Sequence, residues 1–135
     1  MKILVAGLSL RLRAALQCSF PSAEFIVART SKEVLELLDE QSFAALVIDE
    51  AAVEAPQSFF VDLDQNFLGT VVFLSRGRHT AEEIRDLVDR GPHSVILHHP
   101  LDRAELLRRL STQLHLQLAP TRQAPAPQEP GSDLM

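Results

Sequence analysis

The sequence has a single cysteine, Cys18, so an internal disulfide is excluded and a reducing compartment is indicated, with the thiol packing as a small hydrophobe. It has no apolar run approaching the roughly 18 residues that a membrane-spanning helix needs. It also lacks any basic block, and its formal charge is −5. The positive field that sequence-independent binding to nucleic acid or to an anionic membrane requires is therefore missing. Local pairs such as Arg108–Arg109 read as a solvated helix face. The start places Lys2 before an apolar run, as a signal peptide does. That run stops at Arg11 and has no small-residue cleavage site, so it reads as a strand and the expected setting is the cytoplasm.

Several chemical signatures are absent too. "VAGLSLR" is not G-x-G-x-x-G, which argues against dinucleotide binding, and no Ser-His-Asp arrangement stands at nucleophile-elbow spacing. His93, His98 and His99 cluster in sequence, but adjacent strand residues point to opposite faces and no Cys or carboxylate pattern completes a tetrahedral zinc set.

What is present is a regular alternation. The chain has 135 residues, of which 46% are hydrophobic, enough for one domain with one core. Residues 2–6, "KILVA", are too short for a helix and read as a buried strand. Leu12, Ala15, Leu16 and Phe20 then recur at helical spacing until Pro21. "EFIVAR", 24–29, is a second strand. "TSKE", 30–33, is a capping box ahead of Val34, Leu37 and Leu38. Residues 43–48 form a third strand, and Pro56 opens a helix with Phe59, Phe60 and Leu63 that ends near Asn66 and Gly69. "TVVFLS", 70–75, is a fourth strand. "TAEE", 80–83, is a second capping box, predicting a helix with Ile84, Leu87 and Val88 inward and Gly91 as its stop. "SVIL", 94–97, is a fifth strand. Asp102 caps a last helix carrying Leu106, Leu107, Leu110 and Leu114. From Ala119 the composition turns Pro-rich without apolar periodicity.

Continuous apolar strands joined by helices predict a parallel sheet covered on both faces. The expected fold class is α/β, a flavodoxin-like (βα)5 three-layer sandwich with strand order 2-1-3-4-5. The expected organisation is one domain over 1–118 and a disordered tail over 119–135.

In such a sheet, chemistry gathers at the carboxyl ends of the strands. Strand 1 ends in Ala6, Gly7 and Leu8, strand 3 in Asp49, strand 4 in Ser75, and strand 5 in His98, His99 and Pro100. Asp49 closes the apolar run "AALVID" and has no local basic partner. The order of Asp, hydroxyl and residue-Pro step, together with "KILVAGLSLRLRAAL", "FAALVID", "TVVFLS" and "HHPLDRAELLRRL", resembles the receiver domain of bacterial response regulators over residues 2 to about 114.

The resemblance implies a phosphoacceptor at Asp49 and a phosphate-sensing hydroxyl at Ser75. The positions of the magnesium-binding acidic pair hold Gly7 and Leu8, and the lysine position holds His99. The aromatic position of strand 5 holds Val95 or Ile96. Phosphoryl transfer to a carboxylate joins two anions, so it depends on metal and fixed cations. Glycine has no ligating side chain, leucine is apolar, and histidine is largely neutral at neutral pH. Glu50 is expected to leave from the face opposite Asp49, and Glu54 sits on a loop. Magnesium binding is therefore expected to be lost or weak, with no other cofactor and no catalytic residue.

The expectation is a non-catalytic pseudo-receiver, not an enzyme, acting in bacterial signalling through a protein partner or a second copy of itself. The candidate surface carries Arg85, Asp86, Asp89, Arg90, Arg103 and Arg108, mixed charges suited to a specific partner. One alternative is a phosphorylatable single-domain response regulator using Asp49. Another is a small-molecule sensor using the apolar pocket around Leu8. For Asp49 itself, the structural reading is a carboxylate held by backbone N–H groups, Ser75 or a nearby His or Arg.

Overall fold

A computed structural model describes the backbone of residues 1–123 and the side chains of residues 1–115. Five strands alternate with five helices: β1 (Lys2–Ala6), α1 (Leu10–Ser19), β2 (Glu24–Ala28), α2 (Ser31–Glu40), β3 (Ala45–Asp49), α3 (Pro56–Asn66), β4 (Thr70–Ser75), α4 (Arg85–Val88), β5 (Ser94–His98) and α5 (Arg103–Gln123). The strands form one parallel sheet in the order β2-β1-β3-β4-β5. This is the predicted flavodoxin-like topology.

Strand alternation explains why the strands are apolar throughout. Leu4, Ala6, Leu46, Ile48, Val71 and Phe73 pack on one face with Val34, Leu38, Phe60, Leu63 and Leu87 from α2, α3 and α4. Ile3, Val5, Val47, Val72 and Leu74 pack on the other with Leu16 of α1 and Leu106, Leu110 and Leu114 of α5. With both faces covered, neither side of a central strand can be polar. Phe60 sits edge-on to both Phe59 and Phe73, with centroids 5.2 Å apart in each pair, an arrangement that suits the ring quadrupoles.

The helix starts follow their caps. Thr30 Oγ1 accepts from the Glu33 N–H at 3.1 Å, while Glu33 reaches back to the Arg29 N–H at 2.7 Å. Asp102 accepts from the Glu105 N–H at 3.3 Å at the start of α5.

Two expectations change. The second capping box forms, with Thr80 and Glu83 exchanging bonds of 2.8 and 3.2 Å, yet it closes a turn and the helix proper is only Arg85–Val88. Leu87 is the sole buried side chain of α4, and Val88, predicted inward, is 51% exposed. A segment that buries one side chain has little tertiary packing to offset helix nucleation. At the other end, α5 continues through Gln123, so the backbone is helical across the boundary predicted at Ala119. Residues 124–135 of the predicted tail lie outside the described residues.

Candidate functional site

The parallel register sets Asp49 of β3 opposite Leu74 of β4, and Ser75 of β4 opposite His98 of β5. The ends of β3, β4 and β5 are thus side by side, as the strand-end residues predict. Asp49, Glu50 and Ser75 are all buried there.

The Asp49 carboxylate is fully engaged. Arg76 places its guanidinium across it, with Nε donating to Oδ1 at 2.7 Å and an Nη to Oδ2 at 3.2 Å. The Ala51 N–H donates to Oδ1 at 2.9 Å, and His99 Nε2 lies 2.7 Å from Oδ2. Burial on its own pushes the Asp49 carboxyl up. The bonds from Arg76, Ala51 and His99, with the charge of Arg76, outweigh that and hold it below its ordinary value. Reciprocally, the bond to Asp49 pushes the Arg76 guanidinium up.

Glu50 follows in a 3-10 turn over Glu50–Ala52. Its two oxygens accept from the Arg76 N–H at 2.6 Å and the Arg78 N–H at 3.1 Å. The carboxylate therefore turns to the loop after β4 and fixes the backbone that carries Arg76. Ser75 Oγ accepts from the Gly77 N–H at 3.1 Å and lies 2.8 Å from His79 Nε2. The His79 ring is 5.6 Å from that of Phe73. Asp49 and Ser75 are thus held by different partners, and no bond joins them.

Gly7 has φ +77°, a left-handed conformation that glycine adopts without a Cβ penalty. A Cβ built there would lie 3.1 Å from Ala52 Cβ and 3.2 Å from Asp49 Cβ. A side chain at this position is strained by the backbone and crowded by its neighbours. Leu8 packs partly buried against the α1–α5 core layer. Glu54 is exposed.

These residues do not fit a divalent cation. Magnesium takes oxygen ligands in near-octahedral placement. Asp49 has both oxygens committed to donors, Gly7 and Leu8 supply no ligating atom, and Glu50 is spent on backbone N–H groups. A guanidinium already neutralises the carboxylate. Among the described residues no cluster of three or more His, Cys, Asp or Glu is arranged to hold a metal; His93 and His98 are exposed.

The charged surface proposed from the sequence needs one correction. Arg85 and Arg108 are exposed and form long contacts of 3.8 Å, with Glu82 and Glu105; Asp89 and Arg103 are also exposed. Arg90 is different. Its side chain is 5% exposed, donates to the carbonyls of Phe67 and Gly69, contacts Asp64 at 3.4 Å and lies over the Phe67 ring. It closes the turn between α3 and β4 and is unavailable to a partner, because buried carbonyls need a donor.

Arg76, His79 and the role of Glu50 were not singled out from the sequence. The signal for Arg76 is its place immediately after the β4 hydroxyl, beside the end of β3. Once the strands are paired, a long cation there reaches the β3 carboxylate.

Solved structures share this architecture. The chain is similar to the signal receiver domain of an HD domain-containing protein from Pseudomonas fluorescens Pf-5, at 20% identity and TM-score 0.66, covering 90% of this chain and 91% of that one. It is similar to a CheY-like response regulator receiver domain protein from Methanospirillum hungatei JF-1, at 15% identity and TM-score 0.67, covering 88% and 97%. The receiver domain of the Francisella response regulator 1452 matches at 25% identity and TM-score 0.64, covering 86% and 98%. No protein-family model and no curated protein matches the sequence. The chain is a receiver-like domain, with the fold of response regulator receivers. No described helix is long and apolar enough to cross a membrane.

Proposed function

We propose that this domain is a pseudo-receiver, a protein-interaction module in signalling whose output is independent of phosphorylation at Asp49. The observation that carries this reading is the Arg76–Asp49–His99 constellation. A phosphoacceptor must present a free carboxylate oxygen to the incoming phosphorus, with cations placed to neutralise the charge that develops. Here both oxygens are bound by the chain's own donors, and the Arg76 guanidinium is spent on the carboxylate itself. Releasing Asp49 would strip a buried anion of its partners.

With phosphorylation removed, information leaves through binding. Arg85, Asp89, Arg103 and Arg108 provide exposed mixed charges for a protein partner or a second copy of the chain.

The test is to incubate the full chain with magnesium and acetyl phosphate and measure its intact mass. The expected result is no added phosphoryl group. A gain of one phosphoryl group that disappears in Asp49→Asn would overturn the reading in favour of a phosphorylatable response regulator.

A further inference from the structure

On the other side of β1, the carboxyl edge of the sheet holds a second feature. A cavity of about 260 Å³ lies between the ends of β1 and β2, lined by Gly7, Leu8, Arg13, Val27 and Arg29 among others. Its lining residues are apolar apart from two arginines, and no carboxylate is among them. This is unexpected in a chain of formal charge −5.

The arginines are also unspent. Among the described residues neither guanidinium forms an ion pair. Glu33, which comes close through its bond to the Arg29 N–H, accepts from the backbone and not from the side chain. The Nε of Arg13 is buried with no hydrogen-bond partner. A buried donor left unpaired costs free energy, so this side chain is not locked in place by bonds of its own.

We infer that this cavity is a binding site for a small organic anion, one phosphate or carboxylate group held by the Arg13 and Arg29 guanidiniums with a short apolar portion against Leu8 and Val27. Guanidinium forks match the planar or tetrahedral oxygens of such groups and form charge-assisted bonds. The volume lies below the roughly 300–1,000 Å³ of sites for drug-sized ligands, so the ligand is compact and smaller than a nucleotide. None of Asp49, Arg76 and His99 lines the cavity, and the proposal does not rest on whether Asp49 accepts phosphate.

The experiment is a titration of the full-length chain, labelled with nitrogen-15, with inorganic phosphate and in parallel with succinate, sodium chloride holding the ionic strength constant. Saturable shifts of the Gly7, Leu8 and Arg29 amides with either anion are expected; which anion saturates first separates a phosphate from a carboxylate ligand. The Arg13→Gln/Arg29→Gln variant is expected to bind roughly tenfold more weakly or worse, the loss of charge-assisted bonds. Because Arg13 is half-buried, a second variant guards against misfolding. Val27 is 45% exposed, and Val27→Glu keeps both arginines while placing a carboxylate beside them; it should abolish binding. No saturation by about 10 mM, a tenfold excess over a ~1 mM site, would overturn the inference. So would binding that survives unchanged in Val27→Glu.

Discussion

At the ends of β3 and β4 two carboxylates, Asp49 and Glu50, are buried and met by the chain's own donors. At the ends of β1 and β2 two guanidiniums, Arg13 and Arg29, border a cavity with no carboxylate of the fold paired to them. Burial explains the difference between the two carboxylates and Arg29. A buried anion must be hydrogen-bonded and charge-compensated within the fold, because leaving it unmet is costly. A cation whose tip reaches water, as that of the exposed Arg29 does, can wait for a partner from outside. The β3–β4 end of the edge has thus closed on itself, and the β1–β2 end leaves two guanidiniums without an ion pair among the described residues.

The most disruptive way to break this contrast is Arg76→Ala. Removing one partner of a buried pair costs about 3–5 kcal/mol. Arg76 is 38% exposed on its side chain, so water screens and partly replaces it; the Ala51 N–H and His99 also remain. We expect a loss of about 2 kcal/mol in urea unfolding at neutral pH. A variant as stable as the parent would mean that the Asp49–Arg76 pair is dispensable and the acceptor oxygens are accessible.

A smaller effect sharpens the electrostatic side of the same comparison. Asp49 has its folded-state pKa lowered, the Arg76, Ala51 and His99 bonds and the Arg76 charge overcoming burial. The unfolded chain then binds protons more readily than the folded one across the titration. The charged Asp49 therefore contributes stability in full above its ordinary value near 4, and that contribution is lost as the pH falls through the lower folded value. Asp49→Asn should unfold about 1 kcal/mol more easily than the parent at pH 6. The gap should begin to narrow as the pH falls below about 4 and shrink further through the lower folded value. Paired urea titrations across pH 6 to 2 measure it. A gap of constant size would mean that the carboxylate charge is not what Arg76 and His99 stabilise.

The sequence disclosed the parts of this fold that depend on short-range pattern. Five apolar runs at the right length, the first capping box and Pro56 at the first turn of α3 placed the strands and the starts of α2 and α3 to within two residues. The emptiness of positions 7 and 8 was legible because an absent carboxylate can be seen without coordinates. What filled the space could not be read. Arg76 lies 27 residues from Asp49 in the chain, and its role depends on the register of β3 against β4. Arg90 looked like a surface charge on α4 for a related reason: the carbonyls it satisfies, Phe67 and Gly69, belong to another turn. The shortening of α4 was hidden because a capping box signals where a helix can begin, and tertiary burial decides how far it runs.

The smallest expected change is the one most specific to the comparison. Arg29→Gln alters an exposed side chain that forms no ion pair among the described residues, so no folded-state electrostatic attraction is lost. Its N–H bond to Glu33 belongs to the backbone and survives the substitution. The change should therefore lie within about 0.5 kcal/mol of zero in urea unfolding, as for surface substitutions that leave the backbone bonds of a cap intact. If the two guanidiniums repel across their shared cavity, the sign should favour the variant, and by more at low salt than at high salt, because an exposed like-charge contact is screened. A clear loss of stability instead would show that Arg29 already has a partner within the chain and would erase the distinction between the two halves of the sheet edge.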